Sequence, residues 1–171
     1  MKIVSCANLL AFLALSLLVP ATAMAQDAAC QREQLPEPPR VIYRCPNGLV
    51  LEAEAAANLD LAEQPGQQRP AAASLSDKAL LIEVEPGSGP FQILTPHAIA
   101  AVRGTAYAVD VTRDATSVFV IRGEVGVSRT DGSQAVTLRP GEGVDVSAAQ
   151  PLTVKVWGQQ RVESLLARFA R

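Results

Sequence analysis

The stretch Phe91–Val146 reads FQILTPHAIAAVRGTAYAVDVTRDATSVFVIRGEVGVSRTDGSQAVTLRPGEGVDV, and its periodicity decides the fold. Apolar residues recur two apart in Val109/Val111, Val118/Val120, Val125/Val127, Val136/Leu138 and Val144/Val146. Residues i and i+2 of a strand share one face, so each pair marks the buried side of a short strand. Turn signals separate the pairs. Gly104, Gly123, Gly132, Gly141 and Gly143 are expected to serve backbone turns, because glycine tolerates positive φ. Asp131-Gly132 is a strong hairpin signal, and Pro140-Gly141 reads as a turn. Ser117–Arg122 is apolar on both faces and is expected to be a central strand. Short strands at this spacing predict an all-β fold, a solenoid-like or sandwich-like roll of short antiparallel or meandering strands.

Downstream, Leu152–Trp157 reads as a last strand. The period then changes. Val162, Leu165, Leu166 and Phe169 fall on one face of a helix, so 158–171 is expected to be a C-terminal amphipathic helix. Such a face either caps its own domain or meets a partner, and these four residues are candidate partner contacts. Upstream, Ala79–Glu85 reads as a strand, and 79–157 is expected to form the β domain. Gln64–Ala73 (QPGQQRPAAA) has linker composition, so 64–78 is read as a linker, a surface loop within one domain being the alternative. Ahead of it, Val41–Tyr43 and Leu49–Glu54 read as strands around the Pro46-Asn47-Gly48 turn, and Ala55–Ala62 as helix or strand. Residues 26–40 carry Pro36, Pro38 and Pro39 and read as an extended arm without sheet propensity. Residues 26–63 are thus expected to form a small N-terminal unit.

The first 25 residues combine Lys2, the apolar run Leu9–Val19 and the small-residue site Ala23-Met24-Ala25. That is the pattern of a cleaved secretory signal peptide, and the run is shorter than the roughly 20 residues a membrane span needs. Cleavage leaves 146 of 171 residues; with Lys2 gone, 14 basic residues face 17 acidic ones, a net charge of −3. This balance disfavours nucleic acid and anionic membrane surfaces as partners. Cys6 leaves with the signal, and Cys30 and Cys45 remain as an even pair in an oxidising compartment, so a disulfide is expected between them.

Three ordered segments carry a resemblance. The first is Thr95-Pro96 followed by Val102-Arg103-Gly104-Thr105-Ala106-Tyr107. The second is Val120-Ile121-Arg122-Gly123-Glu124-Val125-Gly126-Val127, and the third Leu138-Arg139-Pro140-Gly141-Glu142-Gly143-Val144-Asp145-Val146. Together they resemble the FecR-type periplasmic domain. The resemblance implies an exported all-β module. Its best-known members regulate ferric-siderophore uptake: their periplasmic part meets the signalling domain of a TonB-dependent outer-membrane transporter, and a cytoplasmic segment passes the message to a sigma factor. Only a few residues precede the apolar run here, so the likeness is expected to extend to the module and not to a cytoplasmic segment.

Arg103 opens a turn in the most distinctive segment; it reads either as a structural arginine pairing with a carboxylate or loop carbonyls, or as a partner contact. His97 reads as an exposed turn residue. The spacing of Asp110, Asp114 and Asp145 brings no two of them together. No catalytic set, metal site or cofactor motif is recognisable. The expectation is a non-enzymatic periplasmic interaction module whose partner is an envelope protein or glycan. The alternative is a structural envelope protein that self-associates through its C-terminal helix.

Overall fold

The computed structural model describes residues 30–62 and 66–171, so the signal-peptide reading of residues 1–25 lies outside the described residues. Fourteen strands among the described residues form two sheets. They are β1 (Gln31–Pro36), β2 (Pro39–Cys45), β3 (Leu49–Glu54), β4 (Leu59–Leu61), β5 (Ala72–Leu75), β6 (Lys78–Val84) and β7 (Phe91–Leu94). Then come β8 (Ala98–Val102), β9 (Ala106–Val111), β10 (Ala115–Arg122), β11 (Val125–Arg129), β12 (Ala135–Leu138), β13 (Glu142–Ser147) and β14 (Lys155–Val156). The helix α1 (Gln159–Leu166) runs into a 3-10 turn at Ala167–Phe169.

One sheet has eight strands in the order β1-β2-β3-β6-β9-β10-β13-β14, and the other six in the order β12-β11-β8-β7-β5-β4. From β6 onward the chain changes sheet after β6, β8, β10 and β12. Between the sandwich and the solenoid expected from the period, the structure is thus a sandwich. Gly104, Gly123 and Gly141 sit at three of these crossings with positive φ, whereas Gly132 turns the β11–β12 hairpin within one sheet. Gly123 shows why the residue type matters. Its φ is +82°, and a Cβ there would lie 2.7 Å from Thr105 Cγ2 and 2.9 Å from the Gly104 carbonyl.

The valine pairs meet between the sheets. Val109, Val111, Val118, Val120, Val125, Val127, Leu138, Val144 and Val146 are buried in one cluster with Leu51, Leu80, Ile82, Phe91 and Tyr107, and Val136 packs against it half-buried. Each fully buried side chain of this size contributes about 1.5–3 kcal/mol. The Thr95-Pro96 segment is also fold chemistry. Thr95 Oγ1 accepts from the Ala98 N–H (2.9 Å), donates to the Ala98 carbonyl (2.8 Å) and lies 2.9 Å from Thr116 Oγ1.

The structure departs from the expected division into a separate unit, a linker and a β domain. β3 pairs with β6, so residues 30–54 extend the eight-stranded sheet directly. Within the expected linker 64–78, β5 pairs parallel with β7 and antiparallel with β4, burying Ala73 and Leu75. Small alanines carry too little contrast in hydropathy for that alternation to be read. The arm 26–40 likewise contains a strand. β1 is exposed at most positions and so has no buried face to leave a period; β2 templates it, Gln31 opposite Arg44. The Cys30–Cys45 disulfide closes the open end of this hairpin. A loop of that size adds about 3 kcal/mol in the chain-entropy picture. Of Leu152–Trp157 only β14 is strand, while Leu152 and Val154 pack half-buried on the core.

Candidate functional site

Each sheet has an outer face, and register decides what that face carries. On the eight-stranded sheet, Glu52, Leu81, Ala108, Phe119 and Gly143 lie opposite one another across five strands. Asp110 and Asp145 lie in a neighbouring row, on either side of Ser117. The two aspartates that spacing left apart therefore share one row, while Asp114 is exposed at the β9–β10 turn.

The helix lies over this face. Leu165, Phe169 and Trp157 join Ala79, Leu81, Ala108 and Phe119 in a second buried cluster, with Val162 packed half-buried against it. Of the candidate partner contacts, Leu165 and Phe169 are therefore interior, and Val162 and Leu166 are half-buried. Trp157 stacks on Phe119 with ring centroids 5.2 Å apart, and the Arg161 guanidinium covers the Trp157 ring at 3.4 Å. Gly143 makes room for this. It lies within β13, and a Cβ would come 2.4 Å from the Trp157 indole. It serves close approach, not the turn expected of it.

Arginines from the helical tail meet carboxylates from the strands. Arg161 Nη1 donates to Asp145 Oδ2 at 3.0 Å, and Ser117 Oγ donates to Asp145 Oδ1 at 2.6 Å. Arg168 pairs with Glu54 and, at 2.9 Å, with Asp110. Arg171 pairs with Glu52 at 2.7 Å and Glu83 at 2.6 Å, and Arg40 reaches Glu52 at 3.2 Å. Burial opposes ionisation of Glu54, but the Arg168 hydrogen bond, the Ala79 N–H and the charges of Arg168 and Lys78 outweigh it and hold the carboxyl below its usual value. For Asp145 the Arg161 hydrogen bond leads and lowers the carboxyl against its burial. Burial works against the charge on Arg168 as well, yet its bonds to Glu54 and Asp110 raise it above the ordinary guanidinium value.

The outer face of the six-stranded sheet is different. Gln92, Ala101, Gly126 and Thr137 form one row, and Leu94, Ile99, Ser128 and Ala135 the next. None of these eight side chains carries a charge or an aromatic ring; beyond them the second row continues through Ser74 to the exposed Asp60. Among the described residues no helix covers them, and Gln92, Leu94, Ala101, Gly126, Ala135 and Thr137 are exposed. Gln92, Ile99, Ala101, Gly126, Ala135 and Thr137 are among the residues that outline a shallow depression of about 580 Å³. Arg103, two residues beyond Ala101, is exposed with no hydrogen bond or ion pair among the described residues. Its structural reading, pairing with a carboxylate or loop carbonyls, is not seen.

One end of the sandwich holds another cavity of about 580 Å³, lined by His97, Arg129, Asp131, Gln134 and Gln150 among others. His97 was expected to be exposed; it is half-buried, with Nδ1 3.1 Å from Thr116 Oγ1. Arg129 spans this end, donating to Gln134 Oε1, to the Ser147 carbonyl at 2.7 Å and to the Gln150 carbonyl.

Known proteins bear on these surfaces. The family described as FecR protein matches residues 40–126. Two crystal structures of a candidate anti-sigma factor from Parabacteroides distasonis ATCC 8503 share the fold. Their TM-scores are 0.58 and 0.59 at 18% and 20% identity, and each match covers 81% of this chain. This chain spans 61% of the length of those structures, and at such identity the likeness is one of fold. No curated protein matches the chain.

Proposed function

The chain belongs to the FecR protein family, and from that premise we propose that it is an exported, non-enzymatic interaction module of the cell envelope that serves sensing or signalling. The observation that carries this reading is the open face of the six-stranded sheet. Its uncharged rows on β7 and β8, together with Gly126 and Arg103, fall within the matched residues. An uncharged face of short side chains with Leu94 and Ile99 among them suits a flat protein surface, with a carboxylate placed to meet Arg103. It offers no aromatic ring for a sugar to stack on, so a protein partner is favoured over a glycan. The signal-peptide pattern supports a periplasmic location. The description of the structural relatives as candidate anti-sigma factors supports a regulatory setting. Self-association through the helix gains less support, since Leu165 and Phe169 are already buried within the chain.

Chemical cross-linking in envelope preparations tests the proposal. The mature protein should trap a defined protein, and Ala101→Glu, Thr137→Glu and Arg103→Ala should each weaken that adduct. Lys155→Ala, on the other sheet, should leave it intact. An adduct indifferent to all three open-face variants, or no adduct, would sink the reading. Sequencing the N-terminus of the periplasmic protein should give Gln26; a cytosolic or uncut chain would refute export.

A further inference from the structure

The covered face has the composition of a binding site already filled. Its centre is apolar, at Leu81, Ala108 and Phe119, and Glu54, Asp110 and Asp145 flank that centre along the neighbouring strands. The tail supplies the complement: Val162, Leu165 and Phe169 for the apolar centre, Arg161 and Arg168 for these carboxylates, and Arg171 for Glu52 and Glu83 beside them.

The tail does little to hold itself. α1 has eight residues, no side-chain N-cap and no acidic residue in its first turn. Arg161 in that turn opposes the helix dipole. A helix this short is marginal alone and owes its order to docking. It is joined through Gly158, whose surroundings are open. It also lies beyond the family-matched residues 40–126.

We propose that the C-terminal helix is a resident, displaceable ligand of this face, and that the face takes a basic amphipathic helix from a partner protein in its place. The charge pattern fixes the chemistry: three apolar residues spaced i, i+3 and i+7, with arginine or lysine beside them. A second copy is the poorer source. Exchanging identical helices gains no contact and costs association entropy, whereas a partner brings a further helix. This inference stands apart from the open-face reading, because the two surfaces lie on different sheets and are tested separately.

Trp157 is the only tryptophan in the chain and lies beneath Arg161, so it reports on the helix. In the full chain, Leu165→Asp with Phe169→Asp should free the helix and shift Trp157 emission to the red. Adding the peptide GQQRVESLLARFAR should then reverse the shift. The wild type should not respond, because its own helix competes at an effective concentration on the order of millimolar. A peptide with its three arginines replaced by glutamate should bind worse by roughly fivefold per arginine. The proposal falls if the folded double variant ignores the peptide, if the reversed peptide binds equally well, or if mass measurement shows helix-exchanged dimers. Should the double variant fail to fold, hydrogen exchange on the wild type decides. Amides of 159–169 should exchange roughly tenfold or more faster than those of β9 and β10; equal protection overturns the idea.

Discussion

On the eight-stranded sheet the outward positions are Leu81, Ala108 and Phe119 with carboxylates around them; on the six-stranded sheet they are Gln92, Ala101, Gly126 and Thr137. Both faces arise from the same alternation, and both back onto the same valine core. The first carries a large aromatic that water would penalise, so it needs a cover, and the chain supplies one from its tail. The second carries no aromatic ring, and its bulkiest outward residues, Leu94 and Ile99, stay exposed or half-buried without one. An outer face thus becomes core or surface according to the bulk of a few outward residues, and the charges around them decide which cover fits.

If that contrast holds, substitutions on the covered face should cost far more than those on the open one. Phe119→Ala removes a ring that is 5% exposed and stacked on Trp157. It should lower stability by about 3–5 kcal/mol, read as a lower urea midpoint at unchanged slope. Gly143→Val drives a branched side chain into the Trp157 indole and should cost about 2 kcal/mol, with Trp157 emission moving to the red. A variant as stable as the wild type would mean that Trp157 has room to move. Arg168→Ala leaves Glu54 and Asp110 without their shared cation and should cost about 1 kcal/mol, an effect that shrinks in high salt.

Acid should loosen the covered face by the same route. Glu54 and Asp145 both titrate below their ordinary values in the folded chain, so the unfolded chain binds protons first as pH falls. Their contribution is complete above the ordinary carboxylate range and disappears as pH drops through their lowered values. Trp157 emission followed from pH 7 downward should therefore stay flat until it enters the carboxylate range; a change already complete at pH 6 would point to another group. The smallest effect belongs to the open face. Ala101→Lys should change stability by no more than about 0.5 kcal/mol, and a larger loss would show that this surface is packed after all.

Much of the fold was legible. The valine pairs of 91–146 fall inside as their period predicts, and the crossing glycines sit where the chain changes sheet. The missed strands share a physical reason. β1 buries almost nothing, and in β5 the buried Ala73 and Leu75 alternate only with Ala72 and Ser74, so neither presents an apolar alternation strong enough to read. The candidate site was less legible. Arg103 stands out in the sequence by its motif, and the structure adds that it is exposed. The clamp of Arg168 on Glu54 was not legible, because its partners lie 114 residues apart and only the strand register brings them together. Asp110 and Asp145 became neighbours of one serine for the same reason.

Local chemistry, then, determined the strands with a strong apolar alternation, the turns at Gly104, Gly123, Gly132 and Gly141, the disulfide partners and the amphipathic tail, since each depends on residues close in the chain or on the count of cysteines. Tertiary structure alone decided that residues 30–61 and the β-rich stretch form one sandwich, that the tail covers the sheet carrying Phe119, and that the other sheet is left open. Those outcomes depend on which distant strands pair and in which register, and a shift of one residue would exchange the inner and outer faces of every strand involved.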